Sequence, residues 1–302
     1  MTKKSIALYL SIIGSLLVGA IGWYIYSFLA QPTTAPAKFD GQRAYADVRT
    51  QVAFGSRVPG TEGHAKVQEW IQTEMESAGW QIEIQKSEAL GHPVNNIVAK
   101  RSNEPPQIII GAHYDTRMFA DQDPDPTQHT HYVPGANDGA SGVAVLLGLA
   151  RSFPKDSLSV WLVFFDTEDN GNIEGWDWIL GSREFVKNNP VQPRAAVVVD
   201  MIGDADLNIY KERNSNSDLT DEIWTAAKGL GYENRFIPED KYSMEDDHTP
   251  FLEAGIPAVD IIDFDYPYWH TVQDTPDKVS AESLQTVGET LRTWVMQQSG
   301  QP

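Results

Sequence analysis

Two linked segments decide the fold of this chain: Ile108-Ile-Ile-Gly-Ala-His113-Tyr-Asp115 and, after a polar loop, Pro134-Gly-Ala-Asn-Asp138-Gly-Ala-Ser-Gly-Val-Ala-Val-Leu-Leu-Gly-Leu-Ala-Arg151. The first is an apolar run with no polar alternation, the pattern of a strand buried on both faces. It ends in His-x-Asp. The second predicts a strongly apolar helix over 139–153, covered by other elements and beginning directly after a second aspartate. Imidazole and carboxylate at strand ends and helix starts are where an α/β protein builds a metal or catalytic site.

Outward from that unit the pattern repeats. Leu158 to Phe165, Ala195 to Val199 and Pro257 to Ile262 read as further buried strands, and Gln81 to Gln85 and Asn95 to Lys100 alternate as half-buried ones. Helices are expected over 43–54, and over 64–78 with Val67, Trp70, Ile71 and Met75 on one face and Thr61 as N-cap. Three more are expected: Leu219 to Leu230, a short helix to Ala254 capped by Thr249 and opened by Pro250, and a last helix capped by Ser280. Strands and helices alternate throughout, which predicts an α/β fold: a three-layer α/β/α sandwich with a mixed, mostly parallel central sheet.

The formal net charge of −19 and the placement of all 42 acidic residues after residue 30 give nucleic-acid binding little support. The absence of cysteine excludes disulfides, thiolate metal sites and cysteine nucleophiles. Residues 5–30 are uncharged and mostly apolar, with Lys3 and Lys4 before them and Trp23, Tyr24 and Tyr26 near the far end. That length exceeds a signal-peptide core and suits a single-pass transmembrane signal anchor. A cleaved signal peptide is the alternative. The expected organisation is therefore a cytoplasmic tail over 1–4, a membrane anchor over 5–30, a linker over 31–40 and a catalytic domain over 41–302 on the extracytoplasmic side.

Each confidently read buried strand ends in acid or histidine: His113 and Asp115, Glu168 and Asp169, Asp200, and Asp263 or the loop running to His270. In a parallel sheet these ends share one edge, and so many carboxylates together require a cation or bound protons. Imidazole and carboxylate without thiolate suit catalytic zinc, which makes His113, Asp138, Asp169, Asp200 and His270 the candidates. Each has a plainer use, such as Asp138 capping the following helix. For His64, His92, His129 and His131 a structural use is preferred. Trp176, Trp178 and Trp269 stand in loops where aromatics often line a pocket.

The order His113-x-Asp115, Asn137-Asp138-Gly139, Glu168-Asp169, Asp200 and His270-Thr271 resembles the zinc-dependent exopeptidases of the bacterial leucyl aminopeptidase type. The likeness runs through nearly all of residues 40–300. It implies one zinc on His113 and Asp200, a second on Asp169 and His270, Asp138 as the bridge and Glu168 as general base. Within that group the chain most resembles the secretory-type glutaminyl cyclases, through Asp246-Asp247-His248-x-Pro250-Phe251-Leu252, Trp269 directly before His270, and a tryptophan-bearing insertion after Asp169. That resemblance implies a single zinc on Asp138, Asp169 and His270, an acid–base network of Glu168, Asp200 and Asp246, and a pocket lined by Trp176, Tyr266 and Trp269. The substrates it implies are peptide and protein N-termini. Three positions depart from the cyclase pattern: Asp169 replaces the usual Glu, Glu245 a Gln, and Asp260 a His. The disulfide of animal cyclases is also missing. A catalytically silent display domain is the third possibility, and the presence of every metal and base position argues against it.

Overall fold

The computed structural model describes residues 38–154 and 158–300. The expected anchor lies outside them, and among the described residues no helix is long and apolar enough to cross a membrane. Helices α1 (Gly41–Ala53) and α2 (Glu62–Ser77) precede a hairpin, β1 (Gln81–Ala89) and β2 (His92–Lys100). Then come β3 (Ile108–His113), α3 (Ala140–Ser152), β4 (Val160–Phe165), α4 (Leu180–Asn188) and β5 (Ala195–Asp200). The rest is β6 (Ile209–Lys211), α5 (Ser217–Gly229), β7 (Phe236–Asp240), α6 (Thr249–Glu253), β8 (Ala258–Ile262) and α7 (Ala281–Gln298).

The main sheet has six strands in the order β1-β2-β4-β3-β5-β8. Strands β4, β3, β5 and β8 run parallel, while β2 is antiparallel to both β1 and β4. The sheet is thus mixed and mostly parallel, as expected. Alternate residues of the buried strands feed two cores. Ile108, Ile110, Leu162, Val197 and Val259 face a large cluster with Val48 of α1, Leu146 of α3 and Leu291 of α7. Ile109, Val163, Phe165 and Val198 face Phe185 of α4 and Phe251 of α6. Burial of each such side chain is worth roughly 1.5–3 kcal/mol, so the sandwich is driven from both faces of one sheet. A Cβ on Gly142 would lie 2.6 Å from the Val199 carbonyl oxygen and 2.8 Å from the Ala112 Cβ. Glycine there lets α3 sit directly on β3 and β5.

Thr61 and Ser280 cap their helices as the sequence predicts, accepting from the His64 and Ser283 amides. Thr249 does not. His248 already has helical dihedrals at the cap position, and the Thr249 hydroxyl instead accepts from the Asp246 amide. Strands β1 and β2 run longer than expected because they pair along their whole length across Leu90-Gly91. Both turn residues are left-handed, the geometry that joins twisted antiparallel strands. Exposed Lys86 and Glu88 and half-buried Ser87 are carried by that backbone pairing, not by an apolar period. Helix α4 and the two-stranded sheet β6-β7 are short elements without a long apolar period, and the sequence pattern does not predict them.

Candidate active site

Because β3, β4, β5 and β8 are parallel, His113, the Asp166–Asp169 segment, Asp200 and Asp263 emerge at one edge of the sheet. Between β3 and its neighbours the connections part in opposite directions, the position where open α/β sheets form a crevice. Helix α3 starts over the same crevice. Its first turn carries no side-chain cap, so Asp138 is not spent on capping.

Asp138 stands between two histidines. Its Oδ1 lies 3.1 Å from His113 Nε2, and its Oδ2 lies 3.6 Å from His270 Nε2. His113 Nε2 is also 3.1 Å from Asp200 Oδ1, and His270 Nε2 is 2.8 Å from Asp169 Oδ1. Two ligand groups result, His113–Asp138–Asp200 and Asp138–Asp169–His270, each with its donor atoms within 4.8 Å of one another. Asp138 belongs to both. Among the described residues the buried Asp138 Oδ2 and Asp169 Oδ2 find no hydrogen-bond partner. Buried carboxylate oxygens left free beside an imidazole are the donor set of a hard or borderline cation, and they fit zinc.

Carboxylates also stand behind the histidines. Asp115 Oδ1 lies 3.5 Å from His113 Nδ1, and Asp121 Oδ1 lies 3.4 Å from His270 Nδ1. His113 Nδ1 makes no hydrogen bond among the described residues, so these contacts place negative charge behind each imidazole without bonding it. Asp115 also accepts from the amides of Glu168 (3.0 Å) and Asp169 (3.3 Å), which ties both residues to the end of β3. Asp274 does the same for Asp138. It accepts from the amides of Asn137 (2.8 Å) and Asp138 (3.1 Å) and from the Tyr266 phenol (2.6 Å). Thr167, Met201 and His270 have positive φ. These are strained conformations for residues with side chains, and they flank or carry the site.

The electrostatics follow from crowding. Burial pushes Glu168 well above the usual carboxylate range; His113 opposes this, and Asp169, Asp246 and Asp247 add to it. Burial lifts Asp200 to about 7 and Asp169 to about 6, against the pull of their histidines. Burial alone would lower His270, but Asp169, Asp121 and Asp138 outweigh it and raise the imidazole to about 9. Charge in this cluster is balanced either by protons or by a cation.

The crevice opens into a cavity of about 230 Å³ whose lining includes Asp138, Glu168, Asp169, Asp200, Asp246, Trp178, Trp269, Phe264 and Met244. The His270 ring stacks on Trp269 at 3.8 Å between centroids, and the near-parallel Trp178 ring stands 6.1 Å away. Two expected pocket residues are not part of this lining. Trp176 stacks on His92 at 3.6 Å and faces a separate cleft with Pro59 and Gln68. Tyr266 is buried, with its hydroxyl committed to Asp274. The bridge between Asp169 and Trp178 turns Trp178 inward in place of Trp176. His64 is a structural residue, bonded to Asp166 at 2.7 Å and stacked on Tyr114. Asp263 clamps its own loop by accepting from the amides of Asn208 and Asp265. Asp121, Asp274 and Arg117, whose guanidinium donates to the carbonyls of Asp169 and Gly171, were not legible as site residues. They act through loops that carry no periodic signal.

Residues 96–295 match the sequence profile of peptidase family M28. A glutaminyl-peptide cyclotransferase of Bothrops jararaca is 27% identical, with 80% of this chain and 77% of that protein aligned. Among solved structures, the glutaminyl cyclase of Porphyromonas gingivalis is 35% identical with a TM-score of 0.82, and the match covers 87% of this chain and all of the other. A Zn-dependent exopeptidase from Parabacteroides distasonis is 30% identical with a TM-score of 0.81, over 87% and 99% of the two chains.

Proposed function

The chain belongs to peptidase family M28, and from that membership we propose that it is a zinc-dependent glutaminyl-peptide cyclotransferase, converting N-terminal glutamine of peptides to pyroglutamate with release of ammonia. The observation that carries this is the pair of indoles, Trp269 stacked on His270 and Trp178 nearby, that line the same cavity as Asp138, Asp169 and Glu168. A metal site walled by indoles favours attack by an amine already in the pocket over attack by water. The 35% identity to a glutaminyl cyclase over that protein's full length supports the same assignment.

Asp138, Asp169 and His270 would hold the zinc, which when bound supplies Lewis-acid polarisation of the substrate's side-chain amide. The Glu168 carboxylate takes a proton from the α-amine as that nitrogen attacks the amide carbon, then returns it to the departing ammonia. One C–N bond forms, one breaks, and no water is consumed. Asp200 and Asp246, both in the cavity lining, complete the acid–base network. His113 belongs to the second ligand group with Asp138 and Asp200. This group favours a second reading, a two-zinc aminopeptidase in which Glu168 serves an attacking water.

The residue 5–30 segment, uncharged behind Lys3 and Lys4, supports a single-pass anchor with the enzyme outside the membrane; alkaline extraction of membranes should leave the protein in the pellet.

The deciding assay offers the purified protein an N-terminal glutamine peptide and a leucyl anilide. Ammonia release with pyroglutamate formation is the expected result. Amine release from the anilide without ammonia from the peptide would replace the cyclase with the aminopeptidase.

A further inference from the structure

We infer that Glu245 makes this site select peptides with a basic residue directly after the N-terminal glutamine. The inference rests on the cyclotransferase assignment above, which fixes what enters the cavity first. The cavity lining includes six carboxylates, Glu245 among them, and among the described residues no lysine or arginine. These acids lie at different depths. The side chains of Asp138, Asp169, Glu168 and Asp200 are 4%, 3%, 11% and 13% exposed, whereas that of Glu245 is 58% exposed. Glu245 is therefore the acid at the mouth.

An N-terminal glutamine must bring its side-chain amide to Asp138, Asp169 and His270 and its α-amine to Glu168. The next residue is then the first part of the chain to pass outward, and it meets Glu245. Arg183 Nη2 holds that carboxylate at 2.9 Å, while Arg183 Nη1 binds Glu253 at 2.7 Å. One guanidinium shared by two carboxylates leaves the group with a net negative charge and a fixed position. Positioned charge at a cleft mouth discriminates partners mainly through attraction and repulsion during entry.

The test measures kcat/KM for Gln-Lys, Gln-Ala and Gln-Glu peptide amides with the full-length protein, its Glu245→Gln variant and its Glu253→Gln variant. Exposed charge pairs are individually weak, so a lysine-over-glutamate preference of roughly five- to tenfold is expected in the parent protein. It should fall to within about twofold in Glu245→Gln, read as the ratio of Gln-Lys to Gln-Glu turnover within each protein. Glu253→Gln, which leaves the Glu245 carboxylate in the cavity lining but lets Arg183 neutralise it more fully, should lower the preference only in part. A parent protein indifferent to the second residue, a preference for glutamate, or an equal loss of preference in both variants would overturn the inference. Absence of Gln-Ala turnover would instead remove the cyclotransferase assignment. Quenching of tryptophan fluorescence by the same three peptides reads the binding order independently of turnover.

Discussion

At the scale of single residues, Glu168 and Asp260 illustrate two different uses of a buried acid. Glu168 lines the cavity beside the proposed ligands, so Glu168→Gln should lower turnover by roughly 100- to 10,000-fold while leaving bound zinc unchanged. Metal analysis alongside kinetics checks both halves, and near-normal turnover would remove its role as base. Asp260 is fully buried, and among the described residues neither of its carboxylate oxygens finds a hydrogen-bond partner. Burial, then the neighbouring Asp246 and Asp200, push it well above the usual range. An ionised carboxylate left unpaired in such a place would cost several kcal/mol, which favours the neutral form. Asp260→Asn, which mimics the neutral acid, should change stability by less than about 1 kcal/mol in urea denaturation. A loss of about 3 kcal/mol or more would reveal a charged partner. Reading residues from sequence foresaw which side chains come together where they follow strand ends. Asp138, Asp169 and His270 converge because parallel strands and the helix start deliver them to one edge. It failed for Trp176 against Trp178. Both stand on one loop, and only the backbone bridge to Asp169 decides which ring turns inward.

At the scale of elements, the start of α3 is the critical junction. Gly139 has φ +87°, and a Cβ there would lie 2.6 Å from the Asp115 carbonyl oxygen and 3.1 Å from His113 Cε1. Gly139→Ala faces both a left-handed backbone, costing about 1–2 kcal/mol, and a clash with the strand that carries the site. Destabilisation by about 2–4 kcal/mol with weakened zinc binding is expected. By contrast, a Cβ added to Gly229, at the end of α5, would meet no atom of the described residues within 4 Å. Gly229→Ala should be neutral or stabilising by up to about 1 kcal/mol. Thermal denaturation of the pair separates local strain from a general intolerance of glycine replacement. The buried strands and long amphipathic helices were legible because burial imposes their periods. The three-residue β6 and the irregular loops carrying Asp121 and Asp274 were not, since hydrogen bonds between distant segments position them.

At the scale of the whole molecule, Glu212 joins the end of β6 to the segment that leads into Asp246. It accepts from the amides of Asn214, Ser215 and Met244 and stands 3.4 Å from His248 Nε2. Although burial opposes it, the His248 contact and those amides lower its pKa to about 2. A depressed folded-state pKa means stability that is complete above the unfolded value and lost as pH falls through the folded one. Wild-type protein should therefore exceed Glu212→Gln in stability by about 1–3 kcal/mol above about pH 5, with the gap closing towards about pH 2. A gap independent of pH would show that hydrogen bonding, not ionisation, is responsible. The same fold serves a cyclase and an exopeptidase among its solved neighbours, so architecture alone does not separate amine attack from water attack. Solvent oxygen does. When an N-terminal glutamine peptide is turned over in heavy-oxygen water, intramolecular attack by the α-amine predicts a pyroglutamyl product with no solvent oxygen incorporated. Heavy oxygen appearing in the product carboxylates would contradict it.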